Sequence, residues 1–248
     1  MIRRPAWYVF GVTPAGTALP AGADPAPLAS SVERLAAGEI EALVSRVGRD
    51  ELLGPCPQDP AWLLPRIEAH DRVLTAVAAE GPVVPFRFGM AYGSLDAVVE
   101  ALNLRADELI AALRRIGDSQ EWTVSIEAAA PRPVRAAPAG RGPRRPRSPG
   151  QPGEGRSYLL DRGADLTARV RADDALSTVV RLCRDWHIPA TMLTPGPDGT
   201  GRLACLVPRA AAGQVVPRLA ALTGIESGLR VTVRGPLPPH HFLDQASR

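Results

Sequence analysis

Lysine is absent from this chain: all 29 of its non-histidine basic residues are arginine, set against 26 carboxylates. Cysteine is scarce. Cys56, Cys183 and Cys205 lie far apart, form no C-x-x-C pair and are odd in number. That pattern argues against a disulfide framework or a zinc site and for buried thiols in a reducing compartment. No stretch reaches the roughly 18 apolar residues of a membrane helix, so no membrane partner is expected. Met1-Ile2-Arg3-Arg4 leads directly into a strand-like run with no signal-peptide core behind it, and the chain is expected to be made and kept in the cytoplasm. There is no G-x-x-x-x-G-K-[ST], no G-x-S-x-G and no H-E-x-x-H. The nucleotide-cradling, hydrolytic and zinc-protease chemistries that need those spacings have no anchor, and neither a cofactor nor a catalytic residue is assigned.

What is present is a globular composition, 45% hydrophobic over 248 residues, enough for one large domain or two ordinary ones. The net charge of +3 is unevenly spread. Arg132, Arg135, Arg141, Arg144, Arg145 and Arg147 crowd residues 130–153 together with seven prolines and four glycines, and no acid interrupts them. Outside that segment 23 arginines face 26 carboxylates, about −3, so the high isoelectric point belongs to one tract and not to a basic face. The tract reads as a disordered or polyproline-like linker. It could attract phosphates in a salt-dependent way. Without interleaved aromatics for stacking, a solubilising spacer is the favoured reading, and no nucleic acid is expected as a partner.

The linker separates two α+β domains, residues 1–129 and 154–248. In the first, Ala6 to Val12 is apolar on both faces and reads as a central strand. Ser31–Leu35 and Ile40–Val44 read as a hairpin. Asp59 caps a long helix with Pro60 at its first position, and Leu63, Ile67, His70, Leu74 and Val77 share one face until Gly81-Pro82 ends it. Val84 to Phe88 follows as a short strand, with Val84, Phe86 and Phe88 on one side and Arg87 on the other. Ser94 caps a short helix. A second helix, about 104–116, turns Leu109, Ala112, Leu113 and Ile116 inward and stops at Gly117. Glu121 to Glu127 alternates as a half-buried strand that closes the domain.

In the second domain, Gly155 to Leu160 reads as a short helical segment broken at Gly163, and Leu166–Val170 as a strand. Asp173 or Asp174 opens a helix with Leu176, Val179, Val180 and Cys183 inward. Strands at 188–193 and 203–207, a helix at 210–222 and a strand at 229–233 complete the order βαββαβ, that of a ferredoxin-like sandwich. Beyond it, Pro236, Pro238 and Pro239 predict a stiff extended tail carrying a solvated His240-His241 pair, which lacks the third ligand a metal would need.

Few residues invite a role. Gly89-Met90-Ala91-Tyr92-Gly93 turns from strand to helix and offers no lysine for a phosphate. His70 reads as a satisfied half-core histidine ahead of a catalytic one. Arg87 either pairs with an internal carboxylate or presents its guanidinium to a partner.

Five stretches together carry a family resemblance: Tyr8-Val9-Phe10-Gly11-Val12, Gly81-Pro82-Val83-Val84-Pro85-Phe86-Arg87-Phe88-Gly89, Glu121-Trp122-Thr123-Val124, Gly155 to Leu160, and Gly235-Pro236-Leu237-Pro238-Pro239-His240-His241-Phe242. In this order they resemble the gas vesicle GvpF/GvpL family over nearly the whole chain. The tail departs by placing Leu237 and His240 where the family usually has aromatics. The resemblance implies a ferredoxin-like N-terminal domain, a second α+β domain with coiled-coil-like helical parts, and a non-enzymatic assembly factor or minor structural component associated with gas vesicles. The implied partners are the small hydrophobic major shell protein and other gas vesicle accessory proteins. Phe86, Arg87, Phe88, Pro236, Pro238 and Phe242, from the two most specific motifs, are the candidate partner-binding residues. The rival expectation is a small-molecule-binding or enzymatic ferredoxin-like domain. A pocket gathering Arg87, His70 and a carboxylate would favour it.

Overall fold

The computed structural model describes residues 5–48, 59–128, 154–196, 200–222 and 229–243. The irregular stretch before Asp59, with Cys56, and the 130–153 linker lie outside them. Cys183 and Cys205 are both buried and not joined in a disulfide. Among the described residues no helix is long and apolar enough to cross a membrane.

The first sheet is built on β1 (Pro5–Pro14), with β2 (Glu33–Ala37) and β3 (Ile40–Gly48) as the expected hairpin. After helix α1 (Pro60–Glu80) come two short strands, β4 (Val84–Pro85) and β5 (Ala91–Tyr92). The order is β2-β3-β1-β4, with β5 also paired to β1. The run of apolar residues in β1 thus marks a central strand, as its two-faced pattern predicts. Its register against β3 slips between Val9 and Gly11, a bulge that leaves Phe10 as the extra residue. Regular alternation would carry Tyr8, Phe10 and Val12 on one face. The bulge instead sends Tyr8 and Phe10 to one core and Val9 and Val12 to the other.

Both faces of this sheet are covered. On one side lies α1, whose Val73, Leu74 and Val77 pack with Tyr8, Phe10 and Val83. On the other lie α2 (Leu95–Asn103) and α3 (Ala106–Ile116), whose Val98, Leu102, Leu109 and Leu113 pack with Val9, Val44 and Val84. The local signals that start these helices hold: Asp59 accepts from the Ala61 N–H and Ser94 from the Ala97 N–H. The α1 C-terminus has no basic residue in its own last turn. Arg209 serves it from far along the chain, donating to the carbonyls of Ala78 and Ala79 and pairing with Asp118.

The later elements are β6 (Ser119–Ala128), α4 (Glu154–Asp185), β7 (Ala190–Met192), β8 (Gly201–Pro208), α5 (Arg209–Ala221) and β9 (Leu229–Leu237). Their order is βαββαβ, and their sheet runs β7-β8-β6-β9. The two sheets therefore share one strand sequence, second-third-first-fourth, the order of a ferredoxin-like fold. The βαββαβ pattern holds with one substitution of parts. The strand expected at 166–170 is helical, in the middle of a single 32-residue α4, and the first strand is β6. Leu166 and Val170 favour a strand only in a short window, because Ala164, Ala168 and Arg169 around them are good helix formers. Gly163 does not break α4 either, since one glycine costs only about 1 kcal/mol in a helix.

The chain forms two compact units, each discontinuous in sequence. One comprises Met1–Trp122, Ala204–Gly213 and Arg234–Arg248; the other comprises Thr123–Leu203 and Gln214–Val233.

Candidate functional site

Beyond Pro85 the chain leaves strand geometry. Phe86 still bonds through its N–H to the Phe10 carbonyl at 2.8 Å, but the alternation expected through Phe88 fails there. Phe86 turns into the core with Val84, while Phe88 packs half-buried against the opposite core with Tyr8 and Val83. The two phenylalanines thus straddle the sheet edge, and Arg87 between them is exposed. Among the described residues no carboxylate pairs with Arg87, so of its two readings the internal ion pair is the one without support.

Behind this turn lies a buried polar chain. The His70 ring, 2% exposed, stacks on Phe10 and meets Tyr8 and Phe88 edge-on. Its Nε2 stands 3.1 Å from the Phe86 carbonyl and its Nδ1 2.8 Å from the Tyr8 hydroxyl. A carbonyl only accepts, so Nε2 carries the proton and donates, and Nδ1 accepts from Tyr8. The Tyr8 oxygen in turn accepts the Gly89 N–H at 3.2 Å. Every group in the chain is satisfied with the imidazole neutral. Burial pushes the His70 pKa down to about 4, against an upward pull from the Phe86 carbonyl. Burial likewise raises Tyr8 well above the ordinary phenol range.

The C-terminal segment does not leave as a free extended tail. β9 continues through Gly235-Pro236-Leu237, and a 3-10 turn, His240–Phe242, brings the chain against the first unit. A free tail was expected because three prolines exclude a helix and regular ladder bonding. Yet prolines also stiffen the path, and here that path ends in a buried Leu243 within the α2–α3 side of the core. The solvated His240-His241 pair is therefore corrected. The His241 N–H donates to Glu121 at 2.9 Å, its Nδ1 lies 2.6 Å from the other carboxylate oxygen, and the Glu121 side chain is only 1% exposed. His240 Nε2 stands 3.9 Å from Asp71. Burial lowers the His240 pKa more than Asp71 and Glu121 raise it, so this contact is not a charged pair at neutral pH.

The two sequence motifs meet in space. A groove of about 250 Å³ is lined by Phe86, Arg87 and Phe88, by His240 and Leu243, and by Ile67, His70 and Asp71 of α1. Of the six candidate residues, Phe86, Arg87 and Phe88 line it. Pro236, Pro238 and Phe242 do not. Pro236 is exposed, Pro238 buried and Phe242 half-buried with its carbonyl accepting from Arg115, and they carry the segment that presents His240 and Leu243. Asp71 and Glu121 escape sequence reasoning because no motif marks them and their importance comes from a tail more than a hundred residues distant. Chemically the groove is an apolar notch with a guanidinium at its lip. Of its two histidines, His70 is committed on both nitrogens.

A model of the family described as "Gas vesicle synthesis protein GvpL/GvpF" matches residues 6–244. The chain is 31% identical over 222 residues to Gas vesicle protein F of Streptomyces sp. (strain CB03234), covering 86% of this chain and 88% of that relative. Among solved structures, gas vesicle protein GvpF from Anabaena sp. PCC7120 superposes with a TM-score of 0.68 at 16% identity, covering 97% of this chain and 96% of that one. GvpF from Microcystis aeruginosa gives 0.63 at 17% identity, with 96% and 99% covered. At those identities the structural likeness speaks to the two-domain α+β fold alone.

Proposed function

We propose, from the premise that this chain belongs to the gas vesicle synthesis protein GvpL/GvpF family, that it acts as a non-enzymatic assembly factor or minor structural component, and that it binds the hydrophobic major shell protein. Family membership carries the gas vesicle role. The observation that supports the binding mode is the groove lined together by Phe86, Arg87, Phe88, His240 and Leu243. Half-buried Ile67 and Phe88 beside the exposed Arg87 guanidinium, which has no carboxylate partner among the described residues, suit a partner that is mostly apolar and needs an anchor. An open sheet face, which ferredoxin-like domains often offer, is not available in the first unit, where helices cover both sides. The groove at the sheet edge takes its place in this reading.

The experiment pairs two measurements. A strain lacking this chain is expected to form few or no gas vesicles, and a normal yield would end the proposal. Arg87→Met is expected to leave the melting temperature within about 1–2 °C of the parent, as for an exposed side chain without a partner. It is expected to weaken co-purification with the major shell protein by about tenfold. Retained binding would move the contact elsewhere on the molecule.

One observation favours a second reading. The groove does gather Arg87, His70 and a carboxylate, Asp71, as a small-molecule or catalytic site would. Against it, a general base needs a free lone pair near neutral pH, and both His70 nitrogens are engaged with the pKa held near 4. A ligand-dependent rise in melting temperature that Arg87→Met abolishes would revive that reading.

A further inference from the structure

The second unit carries a strand edge that the shell-protein reading does not use. β7 ends its sheet, with β8 on one side and no strand on the other among the described residues. The Leu193 N–H donates to the Arg202 carbonyl at 2.9 Å across the β7–β8 hairpin. In an antiparallel pair alternate residues direct their backbone groups to the neighbouring strand. Leu193 and Thr191 thus face β8, and the N–H and C=O groups of Ala190 and Met192 face outward.

Beside this edge runs a groove of about 520 Å³ against α4. Leu176, Val180 and Met192 give it an apolar floor, and Asp173, Arg181 and Arg184 rim it. From Asp173 to Arg184 the helix advances about 16 Å at roughly 1.5 Å per residue. That length matches about five residues of extended chain. Of the five large apolar side chains exposed among the described residues, Met192 lines this groove, and Leu166 and Val170 precede its Asp173 end along α4. The last two belong to the stripe 166, 170, 173, 177, 180, 184, whose steps of four and three keep one face of α4. A second helix is a poor fit to that stripe, because Asp173, Ser177 and Arg184 occupy half of the positions a coiled-coil seam keeps apolar. An outward strand edge beside an apolar trough suits an extended chain instead. The rim adds a sign. Two arginines stand against one aspartate, and among the described residues neither arginine has a carboxylate partner.

We propose that the β7 edge and the α4 groove form a docking site for an extended, acidic segment of a partner protein, which adds to the sheet as a further strand. Its backbone bonds to Ala190 and Met192, alternate apolar side chains enter the trough over Leu176 and Val180, and its carboxylates lie against Arg181 and Arg184. The site is in the other unit from the Phe86–Phe88 groove, so it stands or falls independently of shell-protein binding there.

The test titrates the full-length chain with a labelled acetyl-Glu-Val-Glu-Val-Glu-Val-amide peptide and its lysine-for-glutamate counterpart, following anisotropy at low salt. The acidic peptide is expected to bind and the basic one to bind at least about tenfold more weakly, a gap that narrows as salt screens the rim. Met192→Pro deletes one outward N–H while leaving the β7–β8 bonds intact, a placement edge strands tolerate. It is expected to weaken the acidic peptide by about tenfold. The Arg181→Glu/Arg184→Glu double variant is expected to reverse the charge preference. Amide exchange at Ala190 and Met192 in the unmodified chain should slow on binding, a readout that stands even if Met192→Pro fails to fold. No binding at millimolar peptide, equal binding of both peptides, unchanged exchange at those amides, or a bound peptide with a helical signature would each overturn the proposal.

Discussion

His70 shows at the residue scale how a side chain suited to acid–base chemistry is silenced. Its neutral form is the one the fold satisfies, with Nε2 donating to Phe86 and Nδ1 accepting from Tyr8. Because the folded pKa sits near 4 and the free value near 6.5, the unfolded chain takes up that proton first. The stabilisation is therefore full above about pH 6.5 and is lost as pH falls towards 4, amounting to about 3 kcal/mol. Urea unfolding at pH 7.0 and 4.5 should show this loss in the parent. His70→Gln keeps a donor and an acceptor but cannot titrate, and it should show a loss smaller by about that amount. Equal losses in both proteins would mean that His70 is not the titrating group. The burial of His70 on the α1 face was legible from the helical spacing. That it is satisfied was legible too, but its partners Tyr8 and Phe86 were not, since both come from segments outside that helix.

At the element scale, α4 and the C-terminal segment behave differently from their local sequence. In α4, a methyl group at Gly163 would meet nothing within 4 Å, and the position is exposed mid-helix. Gly163→Ala is expected to stabilise the protein by about 1 kcal/mol, read as a higher denaturant midpoint, whereas a loss would argue against a continuous helix there. Gly235 is the opposite case. Its φ of +156° lies where side chains are strained, and a Cβ would stand 2.6 Å from the Trp122 ring and 2.9 Å from the Glu121 carbonyl. Gly235→Ala is expected to cost about 2 kcal/mol and to loosen the turn that follows, making the segment after Pro236 more sensitive to limited proteolysis. The hairpin of β2 and β3, the Asp59 and Ser94 caps and the four inward residues of α3 were all readable in advance, because each is written within a dozen residues. The strand expected at 166–170 shows the limit of such windows: a few residues of ambiguous propensity take the state of the longer element around them.

At the scale of the whole molecule, the C-terminal segment is a structural part of the first unit. Truncation before Pro238 removes Leu243 from the core and leaves the Glu121 carboxylate, nearly fully buried, without its His241 partners. The expected loss is about 3 kcal/mol, seen as a lower melting temperature of the remaining chain. The same truncation strips His240 and Leu243 from the groove. If the proposed function holds, the truncated chain also loses shell-protein binding more completely than Arg87→Met does. A truncated chain of unchanged stability would show that the tail is not docked in solution.

Taken by itself, the sequence determined the α+β class, the αββαβ run of the second domain, the central strand and the faces of the long helix and of α3, because periodicity and capping act over a turn or a strand. Its motifs also pointed to the gas vesicle family. Only the tertiary structure decided that β6 opens the second sheet, that the bulge at Phe10 divides β1 between two cores, that Phe86 and Phe88 part to opposite sides of the sheet, and that the proline-rich tail folds back beside Arg87. Each of these depends on contacts between residues tens to more than a hundred positions apart. The free energy of such contacts comes from burial shared by both partners, and neither partner's local sequence records it.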